Sequence, residues 1–373
     1  MMRIIVIGAG ILGASTAYRL AKAGADVIIA DRGDDGGATA AAAGIICPWI
    51  SQRRNKAWYK LAREGAAYYP SLIDELAEVG ETDTGYDRVG AICLHTDQNK
   101  LQKLKERAIE RRENAPEMGE IQIISPEEAR ELYPLLDEEF SAVYISGAGR
   151  VNGRSLRDAL LKAAKKSGAR FISGHAELLK GERAVAGIKT NTEIIHADRV
   201  IDCGGAWSAS LLAPLGIQFK VSFQKAQIVH MELPDIQTSR WPVVMPPGSQ
   251  YLLSLSDNSI LCGTTHEDTE TFDPRPTAGG VQDILSKAFS VAPRLSNATL
   301  LEVRTGFRPY TPGYLPVIGH VPGWEGLIAG NGLGASGLTT GPYLGSQLAD
   351  LALGRELDIN LKDYDIENAL EYL

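Results

Sequence analysis

The stretch Arg3-Ile4-Ile5-Val6-Ile7-Gly8-Ala9-Gly10-Ile11-Leu12-Gly13 decides the reading of this chain. Its first half is an uninterrupted β-branched run, the pattern of a short strand buried on both faces. Its second half is a glycine turn opening a run of small residues, Ile11 to Ala23, that reads as a helix ended by Gly24. Val27 to Ala30 follows as a second strand. The order strand, turn, helix, strand is a βαβ unit with a right-handed crossover and a parallel sheet. Gly8 permits the turn, Gly10 lets backbone approach a pyrophosphate, and Gly13 lets helix and strand pack closely. At Ile11 and Leu12 the helix N-terminus offers unpaired N–H groups and a partial positive charge to phosphates. Asp31 stands just after the second strand, 18 residues beyond Gly13, with Arg32 beside it. A carboxylate there can accept hydrogen bonds from both ribose hydroxyls and would repel a 2′-phosphate, which disfavours NADP. The motif alone does not separate NAD from FAD.

Working outward, 373 residues suffice for two domains, with 44% hydrophobic and 23% charged residues in the usual globular proportion. A net charge of −8 argues against a nucleic-acid or anionic-membrane surface. Lys100 to Arg112 alternates charges and reads as a solvated helix face. The four cysteines, Cys47, Cys93, Cys203 and Cys262, are widely spaced, which argues against a disulfide framework or a metal site and for reduced thiols in the cytoplasm. No stretch is long and apolar enough to span a bilayer, and no cleavage site follows the first apolar run.

Apolar residues at helical spacing run from Trp58 to Val79, with Pro70 predicting a kink or two helices. A helix is expected over Ser155 to Lys166 and a strand over Arg170 to Ser173. After Gly216 short alternating strands dominate: Lys220 to Glu232, Tyr251 to Leu255, Ile260 to Thr264 and Leu301 to Phe307, the texture of an antiparallel sheet. Leu327 to Ala329, a glycine loop and a helix from Leu338 to Leu353 return to the strand–glycine–helix pattern. Two further segments could lie against a flat ring system. Thr39 to Ile46, including Ala43, Gly44 and Ile45, is made almost wholly of small residues. The loop holding Gly332, Leu333, Gly334, Ala335, Ser336, Gly337 and Leu338 could present N–H groups and a helix N-terminus to a ring that gains negative charge.

With these motifs the chain resembles the FAD-dependent D-amino-acid oxidase family, notably its glycine oxidase, sarcosine oxidase and bacterial D-amino-acid dehydrogenase branches. The resemblance covers nearly the whole length. It rests on the fingerprint with Asp31, Ala43-Gly44, Asp202-Cys203-Gly204-Gly205-Ala206-Trp207-Ser208, Gly306-Phe307-Arg308-Pro309, Leu315 to Gly319 and the terminal glycine loop. It implies an α/β Rossmann-type FAD-binding domain over residues 1–82, 142–215 and 306–373. An α+β substrate domain with an antiparallel sheet would take residues 83–141 and 216–305. Gly204 and Trp207 would contact the cofactor, and Ala176 would meet its adenine side through backbone. With no cysteine beside Arg308 in the sequence, FAD is expected to be non-covalent.

In this family an arginine matching Arg308 grips the substrate carboxylate, and a tyrosine matching Tyr251 touches the same group. A planar guanidinium suits the task, because it offers two parallel hydrogen bonds and keeps its charge. The bland readings are a surface ion pair and a packed strand aromatic. His266 falls at a pocket-wall position of related enzymes but is taken here as an ordinary loop histidine. Phe223-Gln224-Lys225-Ala226-Gln227 departs from the family's Pro-x-Lys/Arg-Gly-Gln/Glu and puts the local substrate-side geometry in question. The implied reaction oxidises a small amino acid (glycine, a D-amino acid or an N-methyl amino acid) at its CH–N bond by hydride transfer to flavin N5. Imine, then keto acid and amine, would follow, with oxygen or another acceptor taking the electrons. Such chemistry needs no catalytic triad, and the chain has six histidines and no Gly-x-Ser-x-Gly. The alternatives are a dehydrogenase serving a quinone or partner protein, and a non-catalytic flavin-binding subunit. A homo-oligomer is compatible with either.

Overall fold

The computed structural model describes residues 1–255 and 258–372. The strand Arg3–Ile7 lies near the middle of a six-stranded sheet ordered Val317–His320, Leu327–Asn331, Arg199–Asp202, Arg3–Ile7, Asp26–Asp31, Arg170–Ser173. All pairs are parallel except the edge pair Val317–His320 with Leu327–Asn331. Ile4, Ile5 and Val6 are wholly buried, Ile4 and Val6 on the helix-covered face and Ile5 on the face that packs against the small sheet holding Val185, Ile188 and Ile195. The helix Ile11–Lys22 covers one face, between helices Gly153–Lys166 and Gly337–Leu353. It ends on Ala23, after which Gly24 takes φ +85°, the left-handed conformation that closes helices.

Gly8 has φ +98°, and a side chain there would also run into the Cys203 carbonyl. A Cβ on Gly13 would overlap the Gly8 carbonyl oxygen, so the helix sits on the turn at a distance only glycine allows. Both roles expected of these glycines are met by the backbone itself.

Of the two outcomes predicted at Pro70, a kink or two helices, the second does not occur: Lys56–Glu78 is one helix of 23 residues with Pro70 inside it. Pro70 faces solvent, while Leu61, Tyr69, Leu72 and Leu76 on the opposite face are fully buried. Helices on either side of a proline stay in line when packing outweighs a cost of about 3 kcal/mol. Here Gly65 sits against the Thr339 carbonyl with no room for a Cβ, clamping this helix to Gly337–Leu353.

The second large sheet has nine strands and is mixed, not antiparallel throughout. Its order is Glu267–Asp268, Ser222–Glu232, Ser259–Gly263, Tyr251–Ser254, Val243–Met245, Ala91–His95, Ser141–Ile145, Ile121–Ile124, and Thr299–Tyr310 pairs with the other edge of Ser222–Glu232. Val243–Met245 runs parallel to Ala91–His95, because long connections return these segments in the same sense. The boundaries expected at 142 and 306 cut through two strands of this sheet, Ser141–Ile145 and Thr299–Tyr310. Three strands before residue 150 and the small sheet Ala176–Lys180, Val185–Thr190, Ile194–His196 had no counterpart in the sequence reading.

Thr299–Tyr310 joins the two layers. Its Phe307 N–H donates to the Gly36 carbonyl at 2.8 Å, and Gly306 packs on Ala41. That fixes the segment after Asp31 beside the arginine-bearing end of the strand.

Replacing Gly13 by alanine should lower stability by about 2 kcal/mol through overpacking against the Gly8 carbonyl. Urea denaturation of the purified protein reads this directly, and an unchanged midpoint would contradict the close packing.

Candidate functional site

A single cavity of about 2190 Å³ runs from the glycine turn at Gly8 past Asp31 and the 36–45 segment to Arg308 and Tyr251. Of the residues expected to contact a cofactor, Gly8, Gly10, Ile11, Leu12, Asp31, Arg32, Ala43, Gly44, Ile45, Ala176, Gly204, Trp207, Leu333, Gly334, Ala335, Ser336, Gly337 and Leu338 all line it. Gly13 and Gly332 do not. Gly13 serves the packing described above, and Gly332 turns the chain at φ +79° where a Cβ would overlap Thr311.

Two helix N-termini open on this cavity. The helix Ile11–Lys22 begins at Gly10 with no side-chain cap and no acidic residue in its first turn. The helix Gly337–Leu353 begins at Ser336 in the same state. Uncapped N–H groups and a positive helix end favour an anion or an electron-rich oxygen at each place. The Ile11 N–H is taken by Thr39 Oγ1 at 2.9 Å, which draws the small-residue segment onto the turn. Asp31 is fixed by two backbone donors, Ala9 N–H to Oδ2 and Gly33 N–H to Oδ1, both at 2.6 Å. Each carboxylate oxygen keeps a further lone pair for a ribose hydroxyl. Volume, helix ends and the oriented acid together fit a dinucleotide.

Asp202, Ser208 and Asn331 lock the two loops at the centre. Asp202 Oδ1 accepts from the Gly204 N–H at 2.8 Å and from the Ser208 hydroxyl at 2.9 Å. Asn331 Nδ2 donates to Ser208 Oγ at 2.8 Å and to the Gly205 carbonyl at 2.9 Å, while its Oδ1 takes the Gly332 N–H at 2.7 Å. Asp202 is completely buried, Oδ2 has no partner, and burial pushes its carboxyl up to about 6. Trp207, from the same loop, stacks on Phe272 at 5.0 Å and 12°, and Phe272 stacks on Phe223 at 4.2 Å.

At the far end, Arg308 and Tyr251, 57 positions apart in the chain, are brought together by the pairing of Ser222–Glu232 with both Thr299–Tyr310 and Ser259–Gly263. The Tyr251 ring lies over Gly263, its cross-strand neighbour, in the space a Cβ would need. Burial pushes its hydroxyl up to about 12, against the opposing pull of Arg308. His266 is no ordinary loop histidine: it lines the cavity, and its Nδ1 stands 3.0 Å from Arg308 Nη1. Burial first, and then Arg308, hold its ring below the usual histidine value. Lys225 points away from this end, its buried ammonium donating to the Arg275 carbonyl at 2.7 Å.

The helix Gln98–Arg112 is more than a solvated face. Leu101 and Ala108 are buried, and Lys100, Lys103 and Arg107 reach the cavity wall. Cys47, Cys93 and Cys203 also line the cavity, although none is near Arg308 in sequence. Burial raises all three thiols, Cys93 to about 12, so they are protonated and poor nucleophiles. All four cysteines are free, and among the described residues no cluster of His, Cys, Asp and Glu could hold a metal ion. No described helix is long and apolar enough to cross a membrane.

Residues 3–351 match the family of FAD dependent oxidoreductases known as DAO, so the chain belongs to that family. It is an enzyme whose cofactor is FAD. It is 56% identical over 371 residues to the oxidoreductase YurR of Bacillus subtilis (strain 168), covering 99% of this chain and all of that one. Glycine oxidase of Pseudomonas aeruginosa is 32% identical, with 97% and 98% of the two chains covered. Among solved structures, iminodiacetate oxidase (IdaA) from Chelativorans sp. BNC1 superposes with a TM-score of 0.95 at 42% identity, over 97% of this chain and 98% of that one.

Asp202 yields a pH prediction. Below about pH 4 the carboxyl is protonated folded or unfolded; above pH 6 the folded state holds an unpaired buried charge. Stability therefore falls as pH rises through this window, by roughly 3 kcal/mol for a shift from 3.8 to about 6. Asp202→Asn removes that dependence. The stability of the variant relative to wild type should rise by this amount from pH 4 to pH 7, measured by denaturation of the holoenzyme. A difference flat with pH would contradict the buried charge.

Proposed function

We propose that the enzyme oxidises a small amino acid or N-substituted amino acid at its CH–N bond. The observation that carries this reading is Arg308: a guanidinium in the cavity wall with no carboxylate within ion-pair distance among the described residues. A cation without a counter-ion in a half-buried site costs stability unless a ligand supplies the charge.

When bound, FAD would supply the two-electron acceptor for oxidation of the CH–N bond. The chain's own residues bind and orient. In this reading Arg308 takes the substrate carboxylate through two parallel hydrogen bonds, and the Tyr251 hydroxyl, neutral at any working pH, donates a third. Fixing the carboxylate fixes the Cα–H direction, which supplies most of what such a reaction needs. Trp207 lines the cavity at the 204–207 loop, held there by its stack on Phe272 and its edge contact with Phe307. The Gly8–Leu12 turn and Asp31 would hold the diphosphate and ribose, with Ala43 to Ile45 and Gly334 to Leu338 near the ring. FAD would be non-covalent, since no cysteine stands near Arg308 in the sequence. Relatives named glycine oxidase and iminodiacetate oxidase support an amino-acid substrate, and unpaired cysteines support a cytoplasmic setting.

Anaerobic addition of glycine, sarcosine, D-alanine, D-proline and iminodiacetate to the yellow holoenzyme tests the reading. One of them should bleach the flavin, and bleaching by none across a broader amino-acid panel would overturn it. Repeating the experiment in air separates oxygen from another acceptor. Arg308→Leu should raise KM for the bleaching substrate at least a hundredfold, as expected for loss of a charged bidentate pair.

A further inference from the structure

We propose that His266 is a positioning residue for Arg308: as a neutral ring it accepts a hydrogen bond through Nδ1 and sets the rotation of the guanidinium for carboxylate binding. This rests on the reading of Arg308 given under Proposed function. A guanidinium can only donate, so at 3.0 Å from Arg308 Nη1 the His266 Nδ1 has to be the acceptor, with the ring proton on Nε2. The surroundings favour that form. Burial, Arg308 and Lys287 all act against protonation, and only Asp268 among the facing charges acts for it; Tyr251 is neutral.

His266 is also firmly mounted. On one side Thr265 Oγ1 accepts from the Gln227 N–H at 2.9 Å and donates to Glu267 Oε1 at 2.7 Å. On the other, Gln224 Nε2 donates to Asp268 Oδ1 at 2.8 Å, and Gln227 Nε2 reaches Glu267 at 2.6 Å. Both flanks are thus tied to Ser222–Glu232, the strand that also pairs with the strand bearing Arg308. Donor and acceptor hang from one rigid frame. Arginine has four rotatable bonds and no other side-chain hydrogen bond partner here among the described residues, so an acceptor at Nη1 removes freedom the carboxylate would otherwise have to remove. Engaging Nη1 leaves the Nε–Nη2 edge, two parallel donors, for the ligand.

The test uses holoenzyme at pH 8, where the ring is neutral, with acetate as a carboxylate probe followed by its perturbation of the flavin spectrum. His266→Leu should raise the acetate Kd five- to thirtyfold, part of the roughly ten- to hundredfold that a direct hydrogen bond to a charged group is worth. It should raise KM for the bleaching amino acid to a similar extent, with kcat within threefold. His266→Asn, whose amide oxygen replaces Nδ1, should restore Kd to within twofold of wild type. Leucine binding acetate as tightly as histidine, or asparagine binding it as weakly as leucine, would overturn the inference. Arg308→Leu separates the two levels. If it loses acetate while His266→Leu does not, only the positioning role fails. If it binds acetate like wild type, or wild type binds none, the reading of Arg308 fails as well.

Discussion

The hydrogen bond from Phe307 N–H to the Gly36 carbonyl, with Gly306 pressed on Ala41, is the joint on which the site depends. It ties the long strand of the nine-stranded sheet to the segment leaving the dinucleotide turn. Without it, the cation at Arg308 and the helix end at Ile11 would belong to two independent surfaces. With it they face one cavity. Small residues make the joint possible, since a side chain on Gly306 or Gly36 would push the strand away.

Electrostatics at the two ends are opposite in design. At the cofactor end the groups are mainly backbone: uncapped N–H groups at two helix starts, and an aspartate oriented by two amides. Backbone dipoles cannot titrate, so in the proposed reading they would hold a bound anion across the working pH range. At the substrate end the groups are side chains. Arg308 supplies charge, Tyr251 a neutral donor and His266 a neutral acceptor. These sit on rigid strands but are free to exchange ligands, as turnover requires.

Between the ends, the Asp202–Ser208–Asn331 network carries a different burden. It sews together the two glycine loops, 204–208 and 331–337, by hydrogen bonds between them. A buried aspartate with one unpartnered oxygen is a costly way to do so, yet its two accepted hydrogen bonds fix the 204–208 turn in a geometry that apolar packing alone does not specify.

Much of this was legible in order along the chain. The Ile4–Ile7 run, the three glycines and Asp31 dictate the βαβ unit because each acts on its immediate neighbours, through a turn, a close contact or a strand end. Of the twenty positions expected to contact the cofactor, some from these local motifs and others, such as Ala176, Gly204 and Trp207, only from the family resemblance, eighteen line the cavity. Short strands such as Ala91–His95 and Ile121–Ile124 were not legible, since their pairing partners lie far away in sequence and their own alternation is weak. Nor was the unbroken helix through Pro70, whose opposite face is buried. The meeting of His266 with Arg308 and the seat of Tyr251 on Gly263 arise only when strands from three parts of the chain come into register. Local conformational preference is written in adjacent residues. Contacts between distant strands are decided by the summed packing of the whole sheet, and only the tertiary structure carries that sum.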